Sequence, residues 1–195
     1  MLVQAREGPP GKNIVIYNYE KSRAANVIAP YIAGFKGAMV SDGLLVYQNL
    51  TSNNEHINHG GCLAPARRKF AEAVKGKRNR ASVAKSTLEI LKKIFKIEAD
   101  IKGLSLDQIR GMRKNKSIPL MLEYRKLLDD NSSRIPAKSL TGKAIGYSLG
   151  QWEYLTRFLD DPRLPAHNNY VEQRIRKFVI GRKTWLRSKS GRCSR

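Results

Sequence analysis

The hydrophobic positions of the chain change their spacing part of the way along it. In the first part, the β-branched and aromatic run at 14–19 and the short apolar run at 37–41 predict two strands, and 57–64 predicts a further short one. Residues 24–32 predict a helix that is interrupted near Pro30. A strand, a helix and a strand in this order predict the βαβ unit of an α/β sheet.

After Pro65 the apolar residues recur at intervals of three and four, which is the spacing of amphipathic helices. Ser105 and Asn168 are suitable N-cap residues, and Pro119 suits the first turn of a helix. The helices predicted on this basis cover residues 83–98, a short segment after Ser105, 119–128, 140–158 and 168–179. The chain is therefore predicted to combine a small α/β part, a long helical stretch and a terminal helix.

Charge is distributed unevenly along the 195 residues. Lys and Arg number 37 against 16 Asp and Glu, which gives a formal net charge of +21. Residues 1–75 hold 9 basic and 5 acidic side chains, whereas residues 76–195 hold 28 and 11. A merely solvated surface needs a net charge of only about 2–8. The concentrated surplus therefore favours a polyanionic partner, with a solvated surface as the alternative.

The composition disfavours several classes of protein. Two cysteines, Cys62 and Cys193, make neither a disulfide framework nor a four-cysteine zinc site, and Cys62 is typical of a small buried residue. No apolar run approaches the roughly 18 residues of a membrane span, and the first residues lack the apolar centre of a signal peptide. The composition therefore predicts a cytoplasmic protein.

Two carboxylates are candidate catalytic residues. Asp42 directly follows a predicted strand, where open α/β sheets place their ligands, although Asp42-Gly43 also fits an ordinary turn. Glu172 falls in the first turns of a predicted helix, where the helix dipole alone favours a carboxylate by about 0.3–1 kcal/mol. His56 and His59 are predicted to lie in a polar loop, and they do not have the spacing of zinc ligands. Both interpretations of each carboxylate remain open at this point.

Basic side chains cluster in two places. The first cluster lies between residues 67 and 80, and the second extends from Arg174 to the end of the chain, where Trp185 is interleaved with it. Mixed basic and aromatic residues suit phosphate contact combined with base stacking. A solvated helix face is the alternative interpretation.

Five blocks of sequence occur in a distinctive order along the chain. They are Val-Ser-Asp-Gly at 40–43, Gly-Cys at 61–62 with Ala-Arg-Arg-Lys-Phe at 66–70, Lys-Ala-Ile-Gly-Tyr at 143–147, Asn-Asn at 168–169 with Glu172 and Arg-Ile-Arg at 174–176, and Gly-Arg-Lys at 181–183 with Trp-Leu at 185–186. Together with Arg23, they resemble the transposases of the insertion sequence 66 family. Five blocks in one order are far more specific than any single block.

The resemblance implies a fold. It is an incomplete RNase H-like core of α/β class, a mixed sheet with flanking helices, which carries a long α-helical insertion. The N-terminal part of the core would occupy residues 1–75 and the helical insertion residues 76–160. A core helix with the basic C-terminal segment would occupy residues 161–195.

The resemblance also implies the chemistry of an Asp-Asp-Glu enzyme that cuts the ends of a mobile element and joins them to target DNA. Such enzymes bind two divalent ions, Mg²⁺ or Mn²⁺, which lie about 3.5–4 Å apart and clamp the attacking and leaving oxygens. Asp42 would be the second carboxylate and Glu172 the third, and both would ligate metal. The residues expected to contact DNA are Arg67, Arg68, Lys69, Arg174, Arg176, Arg182, Lys183 and Trp185.

The chain departs from the family pattern in several places. No carboxylate within residues 1–13 has a strand context, so the first Asp of the triad and its strand are missing. Pro65, His167 and Leu44 stand where the family usually has His, Asp and Tyr, and the pattern ends after Leu186. We therefore expect a family member truncated at both ends, whose open strand edges make the isolated chain unstable or dependent on a missing half in trans. A cooperative thermal transition of the isolated chain would contradict that expectation.

The sequence thus predicts a catalytic-domain fragment of a DNA transposase that is inactive alone. The alternative is a non-catalytic DNA-binding relic, or an inhibitor of transposition that competes with or joins the intact transposase. An RNA-binding protein would explain the charge but not the ordered blocks. The expected partners are element ends and target DNA, with self-association or association with intact transposase and no membrane. The expected location is the bacterial cytoplasm, at the nucleoid.

Overall fold

The structure, a computed structural model, describes residues 2–6, 14–76 and 82–184. Its strands are β1 (Leu2–Arg6), β2 (Ile14–Asn18), β3 (Gly37–Ser41) and β4 (Ile57–Gly61). Its helices are α1 (Ala25–Ile32), α2 (Leu45–Thr51), α3 (Leu63–Gly76), α4 (Ser82–Asp100), α5 (Leu106–Met112), α6 (Ile118–Ser132), α7 (Leu140–Gly150), α8 (Trp152–Thr156) and α9 (Asn169–Thr184). A π-helical turn (Arg113–Ser117) joins α5 to α6, and a 3₁₀ turn (Arg157–Leu159) follows α8. The predicted α/β class is confirmed as a mixed α/β protein.

The chain forms two compact units. One combines Met1–Arg23 with Asn169–Arg195, and the other is the continuous segment Ala24–Asn168. In the first unit, β1 and β2 pair antiparallel along their whole length. The Tyr17 hydroxyl of β2 donates to the main-chain carbonyl of Arg174 in α9 at 3.2 Å, so the hairpin and this helix are in contact.

The second unit contains a parallel strand pair. β3 and β4 run side by side, with Ser41 opposite Gly61, and α2 lies in the crossover between them. The strands predicted at 14–19 and 37–41 are confirmed, and the one predicted at 57–64 is confirmed as far as Gly61, since α3 begins at Leu63. The predicted βαβ grouping of the first two strands is wrong, because β2 pairs with β1 and β3 pairs with β4. The hydrophobic pattern identifies a strand but does not identify the strand with which it pairs. The partner β1 was also difficult to predict, because Gln and Ala occupy its centre instead of β-branched residues.

The helices after the strands largely follow the hydrophobic pattern. Ser105 forms the capping box of α5 with Gln108, and Pro119 lies in the first turn of α6, as predicted. Two predictions are wrong. Pro30 lies inside α1 without interrupting it, since the loss of one amide donor is tolerated in this short helix. The helix predicted over 140–158 divides into α7, α8 and the 3₁₀ turn, because the backbone between α7 and α8 leaves the helical region (φ −104°, ψ 5°).

Apolar side chains from α3, α4, α6, α7, α8, the 3₁₀ turn and the segment after it form the core of the second unit. The largest fully buried members are Leu63, Phe70, Leu91, Ile94, Met121, Tyr124, Leu128, Leu155, Phe158 and Leu164. The Tyr124 hydroxyl donates to Ser148 at 2.7 Å, which satisfies its polar end. A β-carbon at Gly61 would lie 3.1 Å from Cβ of Tyr154, so the end of β4 packs closely on α8.

The π-helical turn directs a basic side chain into this core. Arg113 is 3% exposed and forms an ion pair with Glu98 of α4 at 2.7 Å. The guanidinium also donates to the carbonyl of Phe158 at 2.6 Å, and Glu98 accepts the N–H of Ala166 at 3.4 Å. These contacts tie α4, the α5–α6 helix and the segment that follows α8 into one unit.

Candidate functional site

Asp42 lies at the carboxyl edge of the parallel strand pair. It follows Ser41, the last residue of β3, and is exposed. Gly43 has a φ of +81°, a left-handed conformation that glycine adopts without strain, so the chain turns sharply toward α2. Cys62 occupies the corresponding position after β4 and is fully buried. The predicted position of Asp42 at a strand end is confirmed, and its catalytic role stays a prediction.

A buried histidine joins the two strands next to this edge. His59 of β4 is 1% exposed, with Nε2 at 2.8 Å from the Ser41 hydroxyl and Nδ1 at 2.8 Å from the Thr51 hydroxyl. Because the Thr51 hydroxyl donates to the carbonyl of Tyr47 at 2.8 Å, it accepts the Nδ1 proton, and Ser41 donates to Nε2. Burial, and then the charge of Arg157, lower the pKa of His59 to about 4. The ring is therefore neutral at pH 7.

The prediction that His56 and His59 lie together in a polar loop is wrong for His59, which belongs to strand β4. The neighbouring residues are polar, but His59 is buried with hydrogen bonds to β3 and α2, whereas His56 precedes the strand and is exposed. The strand predicted at 57–64 was the signal that His59 lies outside a loop. With both ring nitrogens in hydrogen bonds, His59 is not placed to bind a metal ion.

Tyr147 of α7 contacts the turn that carries Asp42. Its hydroxyl donates to the main-chain carbonyl of Asp42 at 3.4 Å. Burial, followed by the electrostatic effects of Cys62 and Asp42, raises the pKa of Tyr147 to about 12, so the hydroxyl keeps its proton at neutral pH. The ammonium of Lys69 lies 5.1 Å from the centroid of the Tyr147 ring, a cation–π arrangement. Sequence reasoning did not predict the contact between Tyr147 and Asp42, because the two residues are 105 positions apart in the chain.

Three residues predicted to contact DNA lie in one turn of α3: Arg67, Arg68 and Lys69. Arg67 and Arg68 are exposed, whereas Lys69 is half-buried. The guanidinium of Arg67 lies 5.1 Å from the centroid of the Phe95 ring, which stacks on His167 at 4.8 Å. Lys69 instead approaches Tyr147 and thereby the Asp42 turn. The structure therefore places Lys69 against the tyrosine that contacts the main chain of Asp42, and DNA contact stays a prediction.

Cys62 links the end of β4 to the segment that leads into α9. Its thiol donates to the side-chain oxygen of Asn168 at 3.0 Å and accepts the Asn168 N–H at 3.3 Å and the Ala64 N–H at 3.4 Å. The N–H of Leu63 donates to the carbonyl of Ala166 at 2.9 Å, which holds the two segments side by side. The expectation that Cys62 is a small buried residue is confirmed.

The other predicted carboxylate, Glu172, lies in the first turn of α9 and is half-buried. Two residues further on, the guanidinium of Arg174 lies 4.9 Å from the centroid of the Tyr170 ring. Arg176 is exposed. Since Glu172 and Asp42 belong to different compact units, their association in one site stays a prediction.

The last basic candidates lie at the limit of the described residues. Arg182 and Lys183 belong to the backbone of α9, but their side chains lie outside the described part of the chain. Trp185 lies outside it altogether. Their contacts with DNA stay predictions that rest on the family resemblance.

The described residues do not assemble a three-ligand metal site. Within 2–6, 14–76 and 82–184, no three side chains of His, Cys, Asp or Glu converge. Asp42 supplies one carboxylate at an exposed strand end, whereas Mg²⁺ requires a near-octahedral set of oxygens. The two-ion site implied by the resemblance, with Asp42 and Glu172 as ligands from the two compact units, therefore stays a prediction.

These features define a class of protein: a mixed α/β protein with an exposed carboxylate at a strand edge and a basic turn in helix α3. A sequence model of the family described as "Transposase IS66 family" matches residues 1–195. The chain belongs to the IS66 family of transposases.

Relatives from Sinorhizobium fredii show the same affiliation at moderate identity. The uncharacterized protein y4jD is 32% identical over 179 residues, which cover 89% of this chain and 35% of the relative. The uncharacterized protein y4qI is 32% identical over 180 residues, with 89% and 33% covered. The chain thus spans about a third of the length of these relatives. No solved structure gives a significant match, so the RNase H-like core stays a prediction.

Proposed function

We propose that this chain is part of the catalytic domain of an Asp-Asp-Glu transposase with an RNase H-like core. Family membership supports a transposase-related function. The observation that carries the finer proposal is the exposed Asp42 carboxylate at the carboxyl edge of β3 and β4, where α/β sheets place their ligands. Lys69 approaches the same turn through Tyr147 and supplies a positive charge for a phosphate group.

In this proposal Asp42 and Glu172 are catalytic carboxylates and ligands of Mg²⁺ or Mn²⁺. The net charge of +21 supports phosphate contacts that do not depend on base sequence. The DNA-binding residues of the proposal are Arg67, Arg68, Lys69, Arg174, Arg176, Arg182, Lys183 and Trp185. We further propose that the chain alone binds DNA without cleaving it, because Asp42 and Glu172 are two of the three carboxylates that an Asp-Asp-Glu site needs.

Nicking of supercoiled plasmid in Mn²⁺ tests the proposal, with the wild-type chain beside Asp42→Ala and Glu172→Ala. We expect binding of the plasmid by all three and no nicking by any. Nicking that both variants lose would establish the two carboxylates as one active site and contradict the inactivity of the isolated chain. Asp100→Ala, at the exposed end of α4, is the matched control and should behave as wild type. Failure of the wild-type chain to bind plasmid would contradict the proposal altogether.

A second candidate function is a non-catalytic DNA-binding protein that inhibits transposition. The incomplete set of metal ligands in the described part of the chain favours it. Added to a transposition assay with an intact family transposase, the chain should then lower the number of excision events. Asp42→Ala should inhibit as well as wild type, whereas the pair Arg67→Ala and Arg68→Ala should inhibit less. Loss of inhibition in Asp42→Ala would contradict this function.

The proposed partners are DNA at the element ends and at the target. Association with intact transposase, or of the chain with itself, is part of the same proposal. Across the ranges that the structure describes, every helix is too short or too polar to cross a bilayer. Sedimentation of the chain with and without DNA would measure self-association directly.

A further inference from the structure

The turn that carries Asp42 is enclosed by two side chains from the helical stretch. A β-carbon at Gly43 would lie 2.7 Å from the hydroxyl oxygen of Tyr147 and 3.3 Å from the side-chain oxygen of Gln151. The Tyr147 hydroxyl also donates to the carbonyl of Asp42 at 3.4 Å. Glycine both adopts the φ of +81° at this position and leaves room for the two side chains.

Gln151 is held in turn by the helix that follows the Asp42 turn. The side-chain amide of Gln48 in α2 donates to the side-chain oxygen of Gln151, and Gln48 is buried. The turn therefore contacts side chains that lie more than a hundred residues later in the chain, and α2 holds one of them, Gln151. These contacts involve the stretch expected from the sequence to be an insertion.

We propose that Tyr147 and Gln151 are positioning residues that hold the turn of Asp42 and Gly43, so that the Asp42 carboxylate keeps one direction at the strand edge. This role rests on the proposed function, in which Asp42 is a catalytic carboxylate. Catalytic groups must be held to within about 0.5 Å of their productive geometry, and a turn at a strand end does not achieve this without supporting contacts. Tyr147 and Gln151 of the helical stretch supply those contacts.

Hydrogen exchange followed by mass spectrometry tests the contact independently of activity. The N–H of Tyr47, which donates to the Leu44 carbonyl at 3.0 Å, reports on the turn from the first residues of α2. Tyr147→Phe should speed exchange within residues 42–52 by roughly two- to tenfold, which corresponds to the loss of one neutral hydrogen bond. The matched control Tyr154→Phe should leave this segment unchanged. Unchanged exchange in Tyr147→Phe would overturn the proposal.

Gly43→Ala tests the direct approach of the tyrosine. The new methyl group strains the backbone and displaces the Tyr147 hydroxyl, so exchange in the turn should rise further than in Tyr147→Phe. Adding Tyr147→Phe to Gly43→Ala should then speed exchange little more, because the contact is already lost. A double variant whose effect equals the product of the two single effects would contradict direct contact.

The affinity for DNA separates a positioning role from simple packing. Without divalent ions, Asp42→Asn should tighten DNA binding about threefold, because a carboxylate beside phosphates repels them. In the Tyr147→Phe background the same change should have a smaller effect, since the carboxylate no longer keeps one direction. Equal effects in both backgrounds would overturn the positioning role. If Asp42→Asn changed the DNA affinity in neither background, both the proposed function and the positioning role would be contradicted. The exchange data would then show only that Tyr147 packs against the turn.

Discussion

Arg113 is a charged side chain enclosed in the core of the Ala24–Asn168 unit. A buried charge is costly unless its partners compensate the lost hydration, and here Glu98 and two main-chain carbonyls do so. The pair is therefore most sensitive to the removal of one member, which leaves the other charge buried alone.

Arg113→Met should lower the free energy of unfolding by about 3–5 kcal/mol, because Glu98 loses its counter-charge. Urea denaturation measures the change. Arg110→Ala, which removes an exposed arginine paired with Asp107, should cost less than about 0.5 kcal/mol. Adding Glu98→Leu to Arg113→Met should recover part of the loss. Equal losses of unfolding free energy in Arg113→Met and Arg110→Ala would contradict the prediction that the buried pair is more sensitive than the exposed one.

His59 should make the stability of the fold depend on pH. Its pKa is about 4 in the folded state against an ordinary 6.5, so the unfolded state binds the proton more tightly. The stabilising contribution of the neutral His59 to the free energy of unfolding is therefore complete above about pH 7. It decreases by about 2 kcal/mol between pH 7 and pH 4.5. The free energy of unfolding of wild type and His59→Gln, measured across this range, checks the prediction.

The exposed His56 provides the matched control, and His56→Gln should keep the acid dependence of wild type. The measurement stops at pH 4.5 because the folded state also loses stability in stronger acid when Asp161 is protonated. The pKa of Asp161 is lowered to about 2, chiefly by its hydrogen bond with Arg163. The same acid loss in His59→Gln would rule out His59 as its source.

At the scale of the elements, α7 shows how closely a helix and its neighbouring loop can pack. The hydroxyl of Ser139 accepts the N–H of Gly142 at 3.0 Å and thereby caps the helix. A β-carbon at Gly142 would lie 2.2 Å from the main-chain oxygen of Pro136, which is too close for any side chain. Because the obstructing atom is backbone, it cannot move aside without displacing the loop.

Two identical substitutions within α7 should therefore have opposite effects. Gly142→Ala should lower the free energy of unfolding by about 1–3 kcal/mol through steric overlap. Gly146→Ala, where no atom lies within 4 Å of the new methyl group, should raise it by about 0.5–1 kcal/mol through helix propensity. Urea denaturation of the two variants checks the difference, and a stabilised Gly142→Ala would contradict the close packing.

At the scale of the whole molecule, the net charge of +21 dominates the expected behaviour. Contacts between cationic side chains and phosphates release counterions, so affinity for DNA should fall steeply with salt. About 8 phosphate contacts would give a slope near −7 in a plot of log affinity against log salt concentration.

Titration of fluorescent duplex DNA at several salt concentrations, without divalent ions, measures this slope. The pair Arg67→Ala and Arg68→Ala should reduce its magnitude by about 2, one unit for each phosphate contact. Arg110→Ala should change it less, because that guanidinium is already paired with Asp107. Binding that requires a divalent ion, or that does not weaken with salt, would contradict a DNA-binding role.

Much of the local structure was predictable because its causes are local. The strand at 37–41, the capping box of Ser105 and the position of Pro119 follow from rules that connect residues at most a few places apart. The strand-end position of Asp42 follows from the same rules. The pairing of β2 with β1 was not predictable in this way, since a β-branched run has no preferred partner until other elements pack on it.

The sequence by itself determined the types of most elements, the excess of positive charge and, through its ordered blocks, the family. The tertiary structure alone decided which strands pair, that His59 and Arg113 are buried, and that Tyr147 reaches the turn of Asp42. The physical reason is the separation in sequence between the residues that interact. Helical and strand periodicity follow from backbone geometry between near neighbours, whereas contacts between residues about a hundred positions apart form only when whole faces pack together.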